Sequence, residues 1–206
     1  MHTIHTIQAI EAVKNGKVVV VVDDADRENE GDLIMAADAA TPESVGFIVR
    51  YSSGVLCISL DADRLDALNL PPMVVNNEDP KGTAYAVSTD YKHGTTTGIS
   101  AADRALTFRM LSHPATSPDD LQRPGHVFPL RCKEGGVLAR AGHTEASFDL
   151  SKLAGLNGGG VLAEVVNDDG SLMLLPDLEV LAHKHGLVLT SVQDIIAYRC
   201  EVEGIF

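Results

Sequence analysis

The chain has 206 residues with 16 Lys plus Arg against 29 Asp plus Glu, a formal net charge of −13 and a pI near 4.9. That excess of carboxylates excludes nucleic acid, whose phosphates are gripped by clustered Lys and Arg, and a membrane surface held through a polybasic anchor. An apolar content of 45% and a mean hydropathy of +0.06 mark a globular chain, long enough to bury a core without disulfides or a structural metal.

Apolar residues at Ile7, Ile10 and Val13, stopped by Asn15-Gly16, predict a helix over Ile7–Asn15. The β-branched run Lys17–Val22 reads as a strand buried on both faces. A helix over Pro42–Tyr51 with Thr41 as its N-cap follows, then a strand over Val55–Leu60. Ser100–Leu111 is predicted helical, with Ser100 and Asp103 spaced as a capping box. Strands are expected over Val127–Lys133 and Val161–Val166, on either side of a helix over Thr144–Ala154. Asn167–Gly170 reads as a hairpin turn. A helix over Asp177–His185, a strand over Gly186–Thr190 and a helix over Val192–Arg199 complete the chain. Residues 1–206 are therefore expected to form one α+β or α/β domain.

Met1–Ile10 lacks the basic-then-apolar plan of a leader peptide, and the longest strongly apolar run, Val18–Val22, is too short to span a bilayer. Cys57, Cys132 and Cys200 are scattered, with no CxxC pair, which fits a reducing compartment. The expected location is the cytoplasm.

The densest chemistry lies in Asp23-Asp24-Ala25-Asp26-Arg27-Glu28-Asn29-Glu30-Gly31-Asp32, directly after the buried strand. Like charges about 6 Å apart repel by about 0.7 kcal/mol in water, and by about four times that at an effective dielectric near 20. Such a run at a strand's carboxyl end calls for a cation, and carboxylate oxygens suit Mg²⁺ or Mn²⁺. The plain alternative is a solvated acidic loop. An EF-hand fails because its twelfth position falls on Ala37, and a nucleotide-hydrolase box fails because the Glu-Glu pair after Arg27-Glu28 is missing.

Arg140-Ala141-Gly142-His143-Thr144-Glu145 precedes a predicted helix. Free N–H groups at a helix start bind anions, Arg140 adds a forked donor, and His143 can offer a neutral nitrogen to a metal. Thr95-Thr96-Thr97-Gly98 is a weaker set of the same kind. His126, after Pro124-Gly125, is a candidate acid or base or else a structural histidine. Glu164 interrupts an apolar strand. Either burial raises its pKa and equips it for proton transfer, or it faces water from an edge strand. Cys57 has no activating neighbour in sequence.

Four long motifs occur in order: Asp26–Asp32, Thr96–Arg104, Arg123–Leu130 and Arg140–Ala146, followed by Asn167-Asp168-Asp169-Gly170. Together they resemble the 3,4-dihydroxy-2-butanone 4-phosphate synthases of riboflavin biosynthesis over nearly the whole chain. The resemblance implies a three-layer α+β domain with a mixed sheet flanked by helices. It also implies a homodimer whose active sites lie near the subunit interface, and a lyase that converts D-ribulose 5-phosphate to L-3,4-dihydroxy-2-butanone 4-phosphate and formate. By position, Glu28 and His143 would hold Mg²⁺ or Mn²⁺, two ions per active site. Arg27, Glu28, Asp32 and Glu164 would contact substrate. Arg140, Ala141, Gly142, His143 and Thr144 would hold its phosphate end, with Thr97 nearby. His126 and Glu164 would move protons. Some family members continue into a GTP cyclohydrolase domain; with the sequence ending at Phe206, the single activity is expected. Two rivals remain, a metal-dependent sugar-phosphate isomerase and a non-catalytic acidic metal-binding module.

Overall fold

The computed structural model describes residues 2–205. Met1 and Phe206, the chain ends on which the leader and single-activity expectations bear, lie outside the described residues. Helix α1 (His2–Lys14) starts earlier than its apolar spacing predicts. The valine run then forms β1 (Val19–Val22), and the chain returns antiparallel as β2 (Gly31–Ala36), with Val22 opposite Gly31. The sequence reading leaves Gly31 and Asp32 in the acidic loop, whereas in the structure they open β2. Their polarity hides the start of an apolar strand.

Next come α2 (Pro42–Tyr51), β3 (Cys57–Leu60), α3 (Ala62–Ala67), β4 (Thr89–Tyr91) and α4 (Ala101–Ser112). After them lie β5 (Leu121–Arg131), α5 (His143–Leu153), β6 (Gly160–Glu164), α6 (Leu175–His185), β7 (Leu189–Ser191) and α7 (Val192–Glu203). Thr41 caps α2 in a reciprocal box with Ser44, and Gly186, at φ +63°, ends α6. Helix α3 and strand β4 have no counterpart in the sequence reading, because six and three residues are too few to display a period. Strand β5 begins well before Val127 and pairs with both β3 and β4. The Asn167–Gly170 turn forms as expected, with Val166 bridged to Leu172.

The seven strands lie in the order β4-β5-β3-β6-β2-β1-β7. The sheet is mixed: β1 with β7 and β3 with β5 run parallel, and the other pairs antiparallel. Alternation along the strands sorts side chains into two cores. Val20, Val22, Leu33 and Met35 pack with Ile48, Leu65, Phe108 and Leu178 of α2, α3, α4 and α6. Val19, Val21, Ile34 and Ala36 pack with Val13, Leu150 and Ile195 of α1, α5 and α7. The domain is therefore the expected three-layer α+β sandwich. Among the described residues no helix is long and apolar enough to cross a membrane.

The alternation also places the acids. Asp32 shares the face of Ile34, and Glu164 the face of Leu162, both toward α1, α5 and α7. The β2–β6 register sets Asp32 directly opposite Glu164. Strand β6 is interior, between β3 and β2, so the edge-strand alternative for Glu164 fails. Its two partners come from distant parts of the chain, which no local pattern reveals.

Candidate active site

The loop joining β1 to β2 is organised by Asp23. Its carboxylate accepts the N–H groups of Glu28 (3.1 Å) and Glu30 (3.0 Å) and the Arg27 guanidinium (3.0 Å). Arg27 also pairs with Glu28. Facing this loop is His143, the first residue of α5. Its ring Nε2 donates to the Val21 carbonyl at 3.1 Å, so Nδ1 carries the free lone pair, 3.8 Å from Asp32 Oδ1. Burial pushes the His143 pKa down, against the pull of Asp23 and Glu30. The imidazole is thus neutral, the form that ligates a metal.

Ligand atoms of Asp23, Glu28 and His143 lie within 4.8 Å of one another. Asp32 Oδ1 is buried with no hydrogen-bond donor. Burial first, then the charges of Glu164, Glu28 and Asp23, raise the Asp32 pKa well above the carboxylate range. Burial, with Asp32 and Glu28, pushes Glu30 up to about 7. An orphaned buried oxygen, hard carboxylate ligands and one neutral imidazole are what Mg²⁺ or Mn²⁺ accepts, so the residues present fit a divalent cation.

Two guanidiniums lie beside this cluster. Gly142 is the N-cap of α5, extended at φ −131° and without a side-chain cap. A Cβ there would lie 2.5 Å from Arg140 Nη1 and 3.0 Å from Arg27 Nη2. Two guanidiniums therefore converge where the first N–H groups of an 11-residue helix are free. Glu145 (2.6 Å) and the Lys81 carbonyl (3.2 Å) hold Arg140 in place.

Arg27, Glu28, Asp32, Arg140, His143, Thr144 and Glu164 line one cavity, together with Glu30, Thr83, Tyr85 and Cys57. Glu164 Oε2 accepts the Ser53 hydroxyl at 2.8 Å. Four candidate residues do not line it, although Gly142 lies against Arg140 and Arg27. His126 pairs with Asp90 away from the cavity, and Thr97 is exposed beyond its lining. Ala141 packs against the α1–α5–α7 core rather than lining the cavity. The sequence reading missed Tyr85 and Thr83, which precede β4 in a stretch without periodicity, and it discounted Cys57. The Cys57 thiol does lie in the cavity, but burial, Glu164 and Asp32 push its pKa up, so it stays protonated and is no nucleophile.

Residues 7–198 match the family model of 3,4-dihydroxy-2-butanone 4-phosphate synthase. The chain belongs to that family. The riboflavin biosynthesis protein RibBA of Salinispora tropica is 58% identical over 204 residues, covering 98% of this chain and 51% of its own. The 3,4-dihydroxy-2-butanone 4-phosphate synthase of Agrobacterium fabrum is 50% identical over 190 residues, covering 92% and 89%. This chain thus spans about half the length of the RibBA relatives it matches. Among solved structures, a family member in complex with two magnesium ions superposes with a TM-score of 0.93 at 46% identity, covering 97% of this chain and 98% of that one. A cation-free form superposes at 0.89 and 45% identity, covering 96% and 98%.

Proposed function

We propose that these 206 residues form a single synthase domain that converts D-ribulose 5-phosphate to L-3,4-dihydroxy-2-butanone 4-phosphate and formate, in riboflavin biosynthesis. The observation that carries this is the mixed charge of one cavity. Carboxylates, a neutral imidazole and two guanidiniums beside a helix start line it together. A small phosphorylated polyol fits that pattern.

Glu28 and His143 would hold Mg²⁺ or Mn²⁺, two ions per site, with Asp23 and Asp32 facing them. Bound divalent ions supply positive charge against the negative charge that builds on vicinal sugar oxygens. Arg27, Arg140, Gly142 and Thr144 grip the phosphate, whose binding energy orients the reacting carbons, with Ala141 setting the path of the backbone between Arg140 and Gly142. Asp32 and Glu164 face the carbon chain, and Glu164, steadied by Ser53, moves protons. Removing one carbon as formate takes more than one proton transfer, so a second acid–base group is needed. His126 is that group. Because it lies off this chain's cavity, we infer a homodimer in which His126 and Thr97 of a second subunit complete the site. The acidic surface and three free cysteines suit the cytoplasm.

The test is formate release from ribulose 5-phosphate with Mg²⁺, then with excess chelator. Formate that disappears on chelation supports the reading. Conversion to another ketose or aldose phosphate without formate would make the chain an isomerase, and metal uptake without turnover would make it a binding module.

A further inference from the structure

His126 is held in an unusual way for a surface histidine. It sits in β5 opposite β4, and both oxygens of Asp90 engage it. Oδ1 accepts the His126 backbone N–H at 2.8 Å, and Oδ2 lies 2.7 Å from ring Nδ1. Asp90 is 5% exposed, whereas the imidazole is 41% exposed. Its inner edge is therefore locked, and Nε2 has no hydrogen-bond partner among the described residues.

The backbone around the pair is cut back to make room. Gly98, at φ +94°, lies so close that a Cβ there would overlap the Asp90 carboxylate and sit 2.7 Å from His126 Nδ1. A Cβ at Gly125 would overlap the backbone of Thr89 and Asp90. Gly98 is itself pinned. Asp103 accepts its N–H at 3.0 Å, together with the N–H (3.0 Å) and hydroxyl (2.7 Å) of Thr96. The buried Arg104, one residue on, interacts with the Asp90 charge. Three separate stretches thus converge on one imidazole whose outer nitrogen is left open. A histidine needed only for packing requires none of this.

We propose that Asp90 is a positioning residue for the reaction: it fixes His126 as the Nδ1–H tautomer, so that Nε2 is the atom that takes and returns the proton. An ionised carboxylate only accepts hydrogen bonds, so the ring nitrogen facing it must carry the hydrogen. When Nε2 takes a proton from substrate, the imidazolium is stabilised by the same carboxylate, and the proton leaves again from Nε2. The inference rests on the acid–base role of His126 proposed above.

The test uses the full ¹⁵N-labelled chain. Long-range ¹H–¹⁵N spectra at pH 8 report the tautomer, with His126 identified by its loss in His126→Ala. Protonated Nδ1 with bare Nε2 is expected, and an Nε2–H tautomer overturns the proposal. In Asp90→Asn the amide offers an N–H to Nδ1, so the tautomer inverts. The kcat for formate release then falls by about 10²- to 10⁴-fold, while KM stays within about threefold. A wild-type kcat in Asp90→Asn beside an inactive His126→Ala overturns the role of Asp90 alone. Wild-type activity in His126→Ala instead removes the acid–base role assigned to His126. If Asp90→Asn does not fold, the wild-type tautomer decides.

Discussion

Gly142→Ala tests the guanidinium pair at the start of α5 with one methyl group. The backbone there is extended, at φ −131°, so alanine adopts it without strain. The new Cβ falls 2.5 Å from Arg140 Nη1 and 3.0 Å from Arg27 Nη2. Both atoms are tips of flexible side chains. They swing away and the helix stays folded, but Arg140 then loses its aim, because its bond to Glu145 allows little sliding. A hydrogen bond to a charged group contributes about 1.5–3 kcal/mol. Losing one such bond to phosphate lowers kcat/KM by about 10- to 150-fold, at ~1.4 kcal/mol per factor of ten. Alanine is a poorer N-cap than glycine by about 0.5–1 kcal/mol, which lowers Tm by about 1–4 °C in a chain of this size. The assay is steady-state formate release against ribulose 5-phosphate concentration, beside a thermal melt. Wild-type kcat/KM with an unchanged Tm would refute the placement of phosphate at the α5 start.

Glu28→Gln should lose calorimetric Mg²⁺ binding and formate release together, whereas Glu164→Gln should bind Mg²⁺ like wild type and release no formate. Wild-type rates in both would overturn the assignment of these carboxylates. Asp103 is held below the carboxylate range, chiefly by the Thr96 hydroxyl and then by the Thr96 and Gly98 N–H groups. Its folded pKa lies under the unfolded value of about 3.9, so its stabilisation is present at neutral pH and disappears as pH falls through the folded pKa. Asp103→Asn should therefore lower Tm at pH 7, with the gap closing below about pH 4; a gap independent of pH would contradict this. Asp32 has the opposite sign. Its raised pKa costs stability as pH climbs above the unfolded value of about 3.9. Asp32→Asn should raise the metal-free Tm at pH 8 and abolish turnover, and a lowered Tm would show that the carboxylate is not strained there.

Much of this was legible from sequence because it is local. The valine run, the caps at Thr41 and Ser100 and the turn at Asn167–Gly170 each depend on neighbours a few residues away, and all were read correctly. The acidic run and Arg140–Thr144 were visible as chemistry because of charge density and placement beside predicted elements. Strand β2 was missed because it opens on Gly31 and Asp32: Asp32 faces the cavity, which breaks the apolar pattern a buried strand normally shows. Asp103 shows the same limit. It spaces like a capping box with Ser100, yet its carboxylate reaches back to Thr96 and Gly98 instead.

The features hardest to read are approaches between distant backbones. Gly98 and Gly142 look like ordinary turn glycines in sequence. Each is needed because a side chain from elsewhere occupies the space of its Cβ: Asp90 and His126 at one, Arg27 and Arg140 at the other. The Thr95-Thr96-Thr97-Gly98 run accordingly reads in sequence as a weak set of anion donors, with Thr97 near the phosphate. In the structure Asp103 consumes those of Thr96 and Gly98, and the run closes over the Asp90–His126 pair. Donor-rich segments advertise two roles, ligand binding and loop fastening, and only the three-dimensional partners of their donors separate them. Here the fastening carboxylate lies five residues from Gly98, within the same motif. Arg140–Ala146 also includes its own acceptor, since Glu145 holds Arg140; what sets it apart is that the Arg140 and Arg27 guanidiniums converge on Gly142 at the start of α5.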